Sequence, residues 1–155
     1  MLDLLRALDE AAVEYVLIGA TAMGFHGVVR ATEDVDMLVR AAPENIERLR
    51  VALRAAFAND PTVEEIRAED LLGDYPAVRY YPPSGDLYLD VMTRLGEMAS
   101  FESVEAEIKE IEGVRVRVAT PGALHRLKRG TVRAIDRQDA AALRERFDLR
   151  DDRDE

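Results

Sequence analysis

Hydrophobic and polar positions change their period several times along the chain, and each change marks a predicted element. Leu4, Leu5, Leu8 and Ala12 recur at helical spacing, which predicts an amphipathic helix over residues 1–13. Residues 15–18, Tyr-Val-Leu-Ile, then form an uninterrupted apolar, β-prone run that stops at Gly19. The small residues after that glycine can start a second helix, ended near Gly27. Over 33–40 the pattern alternates, predicting a strand. Side chains in a strand alternate sides, so Val35, Met37 and Val39 share one face, while Asp34, Asp36 and Leu38 share the other.

Pro43 suits a first helical position and Glu44 the positive first turn. Ile46, Leu49, Leu53 and Phe57 follow at helical spacing, predicting a helix over 43–58 stopped by Asn59-Asp60-Pro61. Residues 62–67 read as a short strand, 68–75 as a polar connection, 76–81 as another strand and 82–85 as a turn. Over 86–92, Leu87, Leu89 and Val91 make the apolar face of a strand, leaving Asp90 on the other face beside Tyr88 and Met92. Residues 104–111 and 114–118 flank Glu112-Gly113 as a hairpin, with a helical start over 101–108 as the alternative. Thr120-Pro121 opens a helix through Leu124 and Leu127 toward Arg129, ended by Gly130. A last helix over 136–147 turns Ala140, Leu143 and Phe147 inward, and 148–155 reads as a frayed acidic tail. These elements predict one α/β (α+β) domain over 1–147, with a small mixed β-sheet and helices packed mainly on one face.

A chain of 155 residues is long enough for one domain with a real core. No apolar run approaches the about 18 residues needed to span a bilayer. The start carries acids and no basic leader region, so no signal peptide is expected and the chain reads as cytoplasmic. The absence of cysteine excludes a disulfide framework and any thiolate metal site. A net charge of −10 argues against a broad electrostatic footprint for nucleic acid, while leaving room for a local basic groove.

The acidic face of the 33–40 strand carries the chemistry. Two carboxylates at i and i+2 lie roughly 6–7 Å apart, and their repulsion is about 2–3 kcal/mol at an effective dielectric of about 20. A divalent cation would relieve it, and hard oxygen ligands suit Mg²⁺, which also takes ligands from substrate phosphates. A glycine turn that opens a helix, as at Gly19, presents free N–H groups and a positive dipole end to an anion.

Gly19-Ala20-Thr21-Ala22-Met23, His26-Gly27, Arg30 and Thr32-Glu33-Asp34-Val35-Asp36-Met37 together resemble the minimal nucleotidyltransferases of the DNA polymerase β superfamily. Within it the pattern is most similar to AbiEii-type stand-alone nucleotidyltransferases, some of which are toxins of toxin–antitoxin or abortive-infection systems. The resemblance is strong over residues 1–40 and weaker beyond. It implies a nucleotidyltransferase fold and transfer of a nucleoside monophosphate from a nucleoside triphosphate (NTP) to an acceptor hydroxyl. Asp34 and Asp36 would hold Mg²⁺ or Mn²⁺, and Asp90 matches the family's third acid, with Asp86 as its competitor. Gly19, Ala20 and Thr21 would hold phosphates, aided by Lys128 and by Arg30, which could instead pair with Glu33.

The run Thr120-Pro121, Leu124, Lys128, Arg133, Asp136 and Asp139 is similar to the C-terminal region of AbiEii-like proteins. Asp136 and Asp139 read as helix-capping and first-turn acids, and His26 as a buried or capping histidine. The implied acceptor classes are transfer RNA, a protein and a small molecule, and the implied partner is a cognate antitoxin. One departure stands out: Gly19-Ala20 occupies a turn where the superfamily usually has Gly-Ser or Gly-Gly. The alternative is therefore a catalytically degenerate module that binds a nucleotide or a protein.

Overall fold

The computed structural model describes residues 1–28, 34–83, 85, 87–96, 99–129 and 134–149. The expected positions Arg30, Thr32, Glu33, Asp86, Gly130 and Arg133 lie outside the described residues, as do 150–155 of the acidic tail. In chain order the elements are α1 (Leu2–Glu10), β1 (Tyr15–Ile18), α2 (Gly19–Phe25), β2 (Asp34–Val39), α3 (Pro43–Ala56), a 3-10 turn (Pro61–Glu65) and α4 (Ala68–Leu71). There follow β3 (Ala77–Tyr80), β4 (Tyr88–Met92), β5 (Arg94–Leu95), β6 (Ala99–Ser100), β7 (Ala106–Ile111), β8 (Val114–Ala119), α5 (Pro121–Arg129) and α6 (Ala134–Phe147).

Six strands form one mixed sheet in the order β3-β4-β2-β1-β8-β7, and β5 pairs with β6 separately. β1 runs antiparallel to β2 and parallel to β8, while β2 runs parallel to β4. The central strand β1 is buried at every position, because both faces of the sheet are covered there. That is why it reads as a continuous apolar run rather than an alternation. The hydrophobic core joins Leu17, Met37, Leu89, Val91, Val116 and Val118 of the strands to Leu5 and Leu8 of α1 and to Ile46, Leu49 and Leu53 of α3. α1 packs on α3 and β8, α2 on β1, β2 and α5, and α5 on α6.

Buried Asn45 ties α3 to the sheet. Its side chain donates to the carbonyls of Glu14 (2.9 Å) and Arg40 (3.0 Å), while its Oδ1 accepts the Glu14 N–H at 2.8 Å. The backbone on either side of the β1–β2 pair is thereby satisfied where the ladder ends.

Most predicted elements are present, and three expectations change. Residues 62–67 are not a strand. Asp60 caps the 3-10 turn by accepting from Thr62 N–H (3.3 Å) and Thr62 Oγ1 (2.6 Å), and Val63 and Ile66 turn inward three residues apart. The Asp-Pro start and the spacing of those two residues outweigh the β-prone composition. The connection 68–75 contains the short helix α4, anchored by buried Leu71. Over 101–118 the hairpin prevails: β7 and β8 pair from Ala106↔Ala119 to Ile111↔Val114. Ala12 is exposed in a left-handed turn (φ 56°) beyond α1, where Ala7 joins Leu4, Leu5 and Leu8 on the buried side.

Candidate functional site

Strand register assembles an acidic centre. In the parallel β2–β4 pair Asp36 lies beside Asp90 and Asp34 beside Tyr88. In the antiparallel β3–β4 pair Arg79 lies opposite Asp90, and in β1–β2 Ile18 lies opposite Asp36. Cross-strand partners share a face, so Arg79, Asp90, Asp36 and Ile18 form one row across four strands, with Asp34 one pleat away from Asp36. One carboxylate oxygen from each of Asp34, Asp36 and Asp90 lies within 4.8 Å of the others, and all three residues are partly buried. Two like charges at that distance repel by about 3 kcal/mol at an effective dielectric near 20.

Asp36 shows the strain. Its carboxyl is pushed from 3.8 up to about 7, first by burial, then by the charges of Asp34 and Asp90 and a hydrogen bond with Asp90, with Lys128 opposing. Among the described residues, three aspartates and Lys128 act on or form this centre, and the balance disfavours the ionised form of Asp36.

Gly19 starts α2 at a φ of +71°, a region L side chains enter at a cost, and a Cβ there would collide with Asp36 Oδ2. Glycine thus lets the backbone touch the acid. Thr21 Oγ1 donates to the Asp34 carbonyl at 3.3 Å, which ties the start of α2 to the start of β2, and Ala20 is buried.

A cavity of about 490 Å³ opens over this row. It brings together Gly19, Asp34, Asp36, Asp90 and Lys128, five of the residues expected from sequence, while Ala20 and Thr21 are not among its lining. Leu124 and Leu127 of α5 contribute an apolar wall. Lys128, on the same helix, is buried and lies 3.0 Å from Asp139 Oδ2 and 3.5 Å from Asp136 Oδ1. This corrects the reading of the two aspartates as capping and first-turn acids. Asp136 does sit in the first turn of α6, but both are buried against the lysine, because a buried ammonium needs paired carboxylates and residues three apart share one helix face. His26 is buried as expected, its Nε2 2.7 Å from the Ala119 carbonyl.

Sequence reasoning missed Arg79 and Tyr88. Arg79 Nε and Nη2 donate to the two oxygens of Asp90 at 2.8 and 3.3 Å, and the guanidinium lies 4.4 Å from the centre of the Tyr88 ring. The sequence placed Arg79 in a predicted strand and Tyr88 on the face of Asp90, without a role for either. The partner of Arg79 became visible with the β3–β4 register.

The family model described as the nucleotidyl transferase AbiEii toxin of a type IV toxin–antitoxin system matches residues 3–125. The chain belongs to this family. The AbiEii match takes in Gly19 and all three acids of the centre, and it ends within α5, before Lys128, Asp136 and Asp139. No curated protein matches the chain.

The AbiEii-family centre fits a divalent cation on its own donor chemistry. Three hard carboxylate oxygens converge, no cysteine is available, and the excess charge on Asp36 needs a counter-ion. Among the described residues, no helix is long and apolar enough to cross a membrane.

Proposed function

We propose that the protein is a metal-dependent nucleotidyltransferase that moves a nucleoside monophosphate from an NTP to an acceptor hydroxyl. The observation that carries this reading is the convergence of three carboxylates from two adjacent strands in a cavity bordered by Gly19 and Lys128. Asp34, Asp36 and Asp90 hold Mg²⁺ or Mn²⁺, which supplies charge neutralisation at the triphosphate and at the attacking oxygen. The acceptor oxygen forms a bond to the α-phosphorus, the bond from that phosphorus to the bridging oxygen breaks, and pyrophosphate leaves with the electron pair. Asp90, at the β4 end of the row, orients the acceptor hydroxyl and takes its proton. Gly19, Ala20 and Thr21 at the start of α2, together with Arg30 and Lys128, contact the β and γ phosphates. The leucine wall limits water at the reacting centre.

The setting is a toxin acting in the cytoplasm and restrained by a cognate antitoxin. The acceptor classes compatible with the chemistry are transfer RNA, a protein hydroxyl and a small molecule.

Incubation with each α-³²P NTP, Mg²⁺ or Mn²⁺, and cell extract or total transfer RNA tests this reading, with the Asp34→Ala, Asp36→Ala double variant alongside. Label should enter one acceptor class only when both acids are intact. Equal labelling by the double variant refutes the proposal. Metal-dependent NTP binding without transfer by the wild type replaces it with the degenerate binding module, which the buried alanine after Gly19 favours.

A further inference from the structure

The residue that ends the acidic row is a cation. Arg79 stands opposite Asp90 on the edge strand β3, and its guanidinium engages both carboxylate oxygens side-on. One of its faces is covered by the Tyr88 ring at 4.4 Å, and Tyr88 in turn sits beside Asp34 in the β2–β4 register. A planar group held along one edge by a carboxylate and on one face by an aromatic ring has little rotational freedom left. Arg79 therefore differs from the arginines of the α3 surface, whose glutamate partners Glu47 and Glu64 are mostly exposed. The Asp90 side chain retains only 21% of its accessible surface, so its orientation is set by what it binds.

We propose that Arg79 is the positioning residue of this centre: by gripping Asp90 along one edge, it directs the remaining carboxylate lone pairs toward Asp34 and Asp36, where the cation binds. The proposal rests on the metal reading above. It concerns how the third ligand is aimed, and it predicts a sign that simple electrostatics reverses. Removing a positive charge next to a cation site, with nothing else changed, tightens cation binding. Removing the group that aims a ligand weakens it, commonly by 10–100-fold for residues that hold metal ligands. The second effect outweighs the first here, because Asp90 loses its oriented partner and keeps its repulsion from Asp36.

The test is Mn²⁺ affinity, read by calorimetry and by the electron paramagnetic resonance signal of free Mn²⁺, in the wild type, Arg79→Met, Arg79→Lys, Asp90→Asn and the Arg79→Met, Asp90→Asn double variant. Half of the Arg79 side chain is exposed, so folding tolerates its replacement. Arg79→Met should bind Mn²⁺ about tenfold more weakly, and Arg79→Lys, which keeps the charge but not the two-pronged grip, should recover only part of the loss. In the Asp90→Asn background Arg79→Met should change nothing further, since the arginine acts through that carboxylate. Affinity unchanged or tighter in Arg79→Met, or an equal loss with Asp90 already replaced, overturns the positioning role while the metal reading stands. A wild type that binds no divalent cation overturns the metal reading itself, and this role with it.

Discussion

Replacing Asp36 with asparagine should make the metal-free protein more stable, at the expense of its function. Burial, and then the neighbouring acids, raise the Asp36 carboxyl from 3.8 to about 7, so its ionised form is disfavoured in the fold. A shift of that size corresponds to about 4 kcal/mol, and to about 2 kcal/mol once the solvent still reaching this partly buried group is allowed for. The sign follows from linkage: a folded-state value above the unfolded one means the native state holds the proton more tightly. The associated stability is complete below about pH 4 and is lost as pH rises through 7. Asparagine has nearly the same shape and carries no charge to lose.

In EDTA at pH 8, Asp36→Asn should therefore unfold about 6 °C above the wild type, taking roughly 3 °C per kcal/mol for a chain of this size. Near pH 4, close to the unfolded-state value, most of the gap should close. Saturating Mg²⁺ should then reverse the order, because only the wild type keeps the full ligand set. Thermal unfolding followed by circular dichroism at both pH values, with and without the cation, measures all three quantities. A variant no more stable than the wild type at pH 8, or a gap undiminished near pH 4, would refute the account of this centre as strained by burial and charge repulsion.

Two further substitutions separate the site from the scaffold. Gly19→Ala forces an L residue into a left-handed conformation, at about 1–2 kcal/mol, and drives its methyl into Asp36; thermal unfolding should show the loss, and Mn²⁺ titration should show weakened binding. Asn45→Ala leaves the Glu14 N–H without its partner and takes one of two donors from the carbonyls of Glu14 and Arg40, which keep the N–H groups of Arg40 and Ala42, costing about 1–2 kcal/mol; denaturant titration should register this with Mn²⁺ affinity unchanged.

How much was legible in the sequence depended on how local the determining physics is. Asp34 and Asp36 could be placed on one face because a strand alternates its side chains whatever its neighbours are, and the buried faces of Val35, Met37 and Val39 hold β2 in that orientation. Gly19 was readable for a related reason: the turn at the end of β1 needs a residue without Cβ. The helices α3 and α5 followed from apolar spacing and proline starts. The 3-10 turn at 61–65 was misread because Val63 and Ile66 suit a strand by composition, whereas the Asp60 cap decides the backbone.

Nothing in the sequence alone decided which strands pair, or in what register. Asp90 joins Asp36 because β2 and β4 run parallel with their apolar residues, Val35 and Met37 against Leu89 and Val91, on the same buried face, and a slip of one residue would turn every acid inward. Arg79 finds Asp90 through an antiparallel pairing, and Lys128 finds Asp136 and Asp139 through the packing of α5 on α6. Local backbone geometry thus set the face on which each acid would stand. Long-range burial of the apolar face chose its neighbours, and that choice gathered the carboxylates, the arginine and the lysine around one cavity.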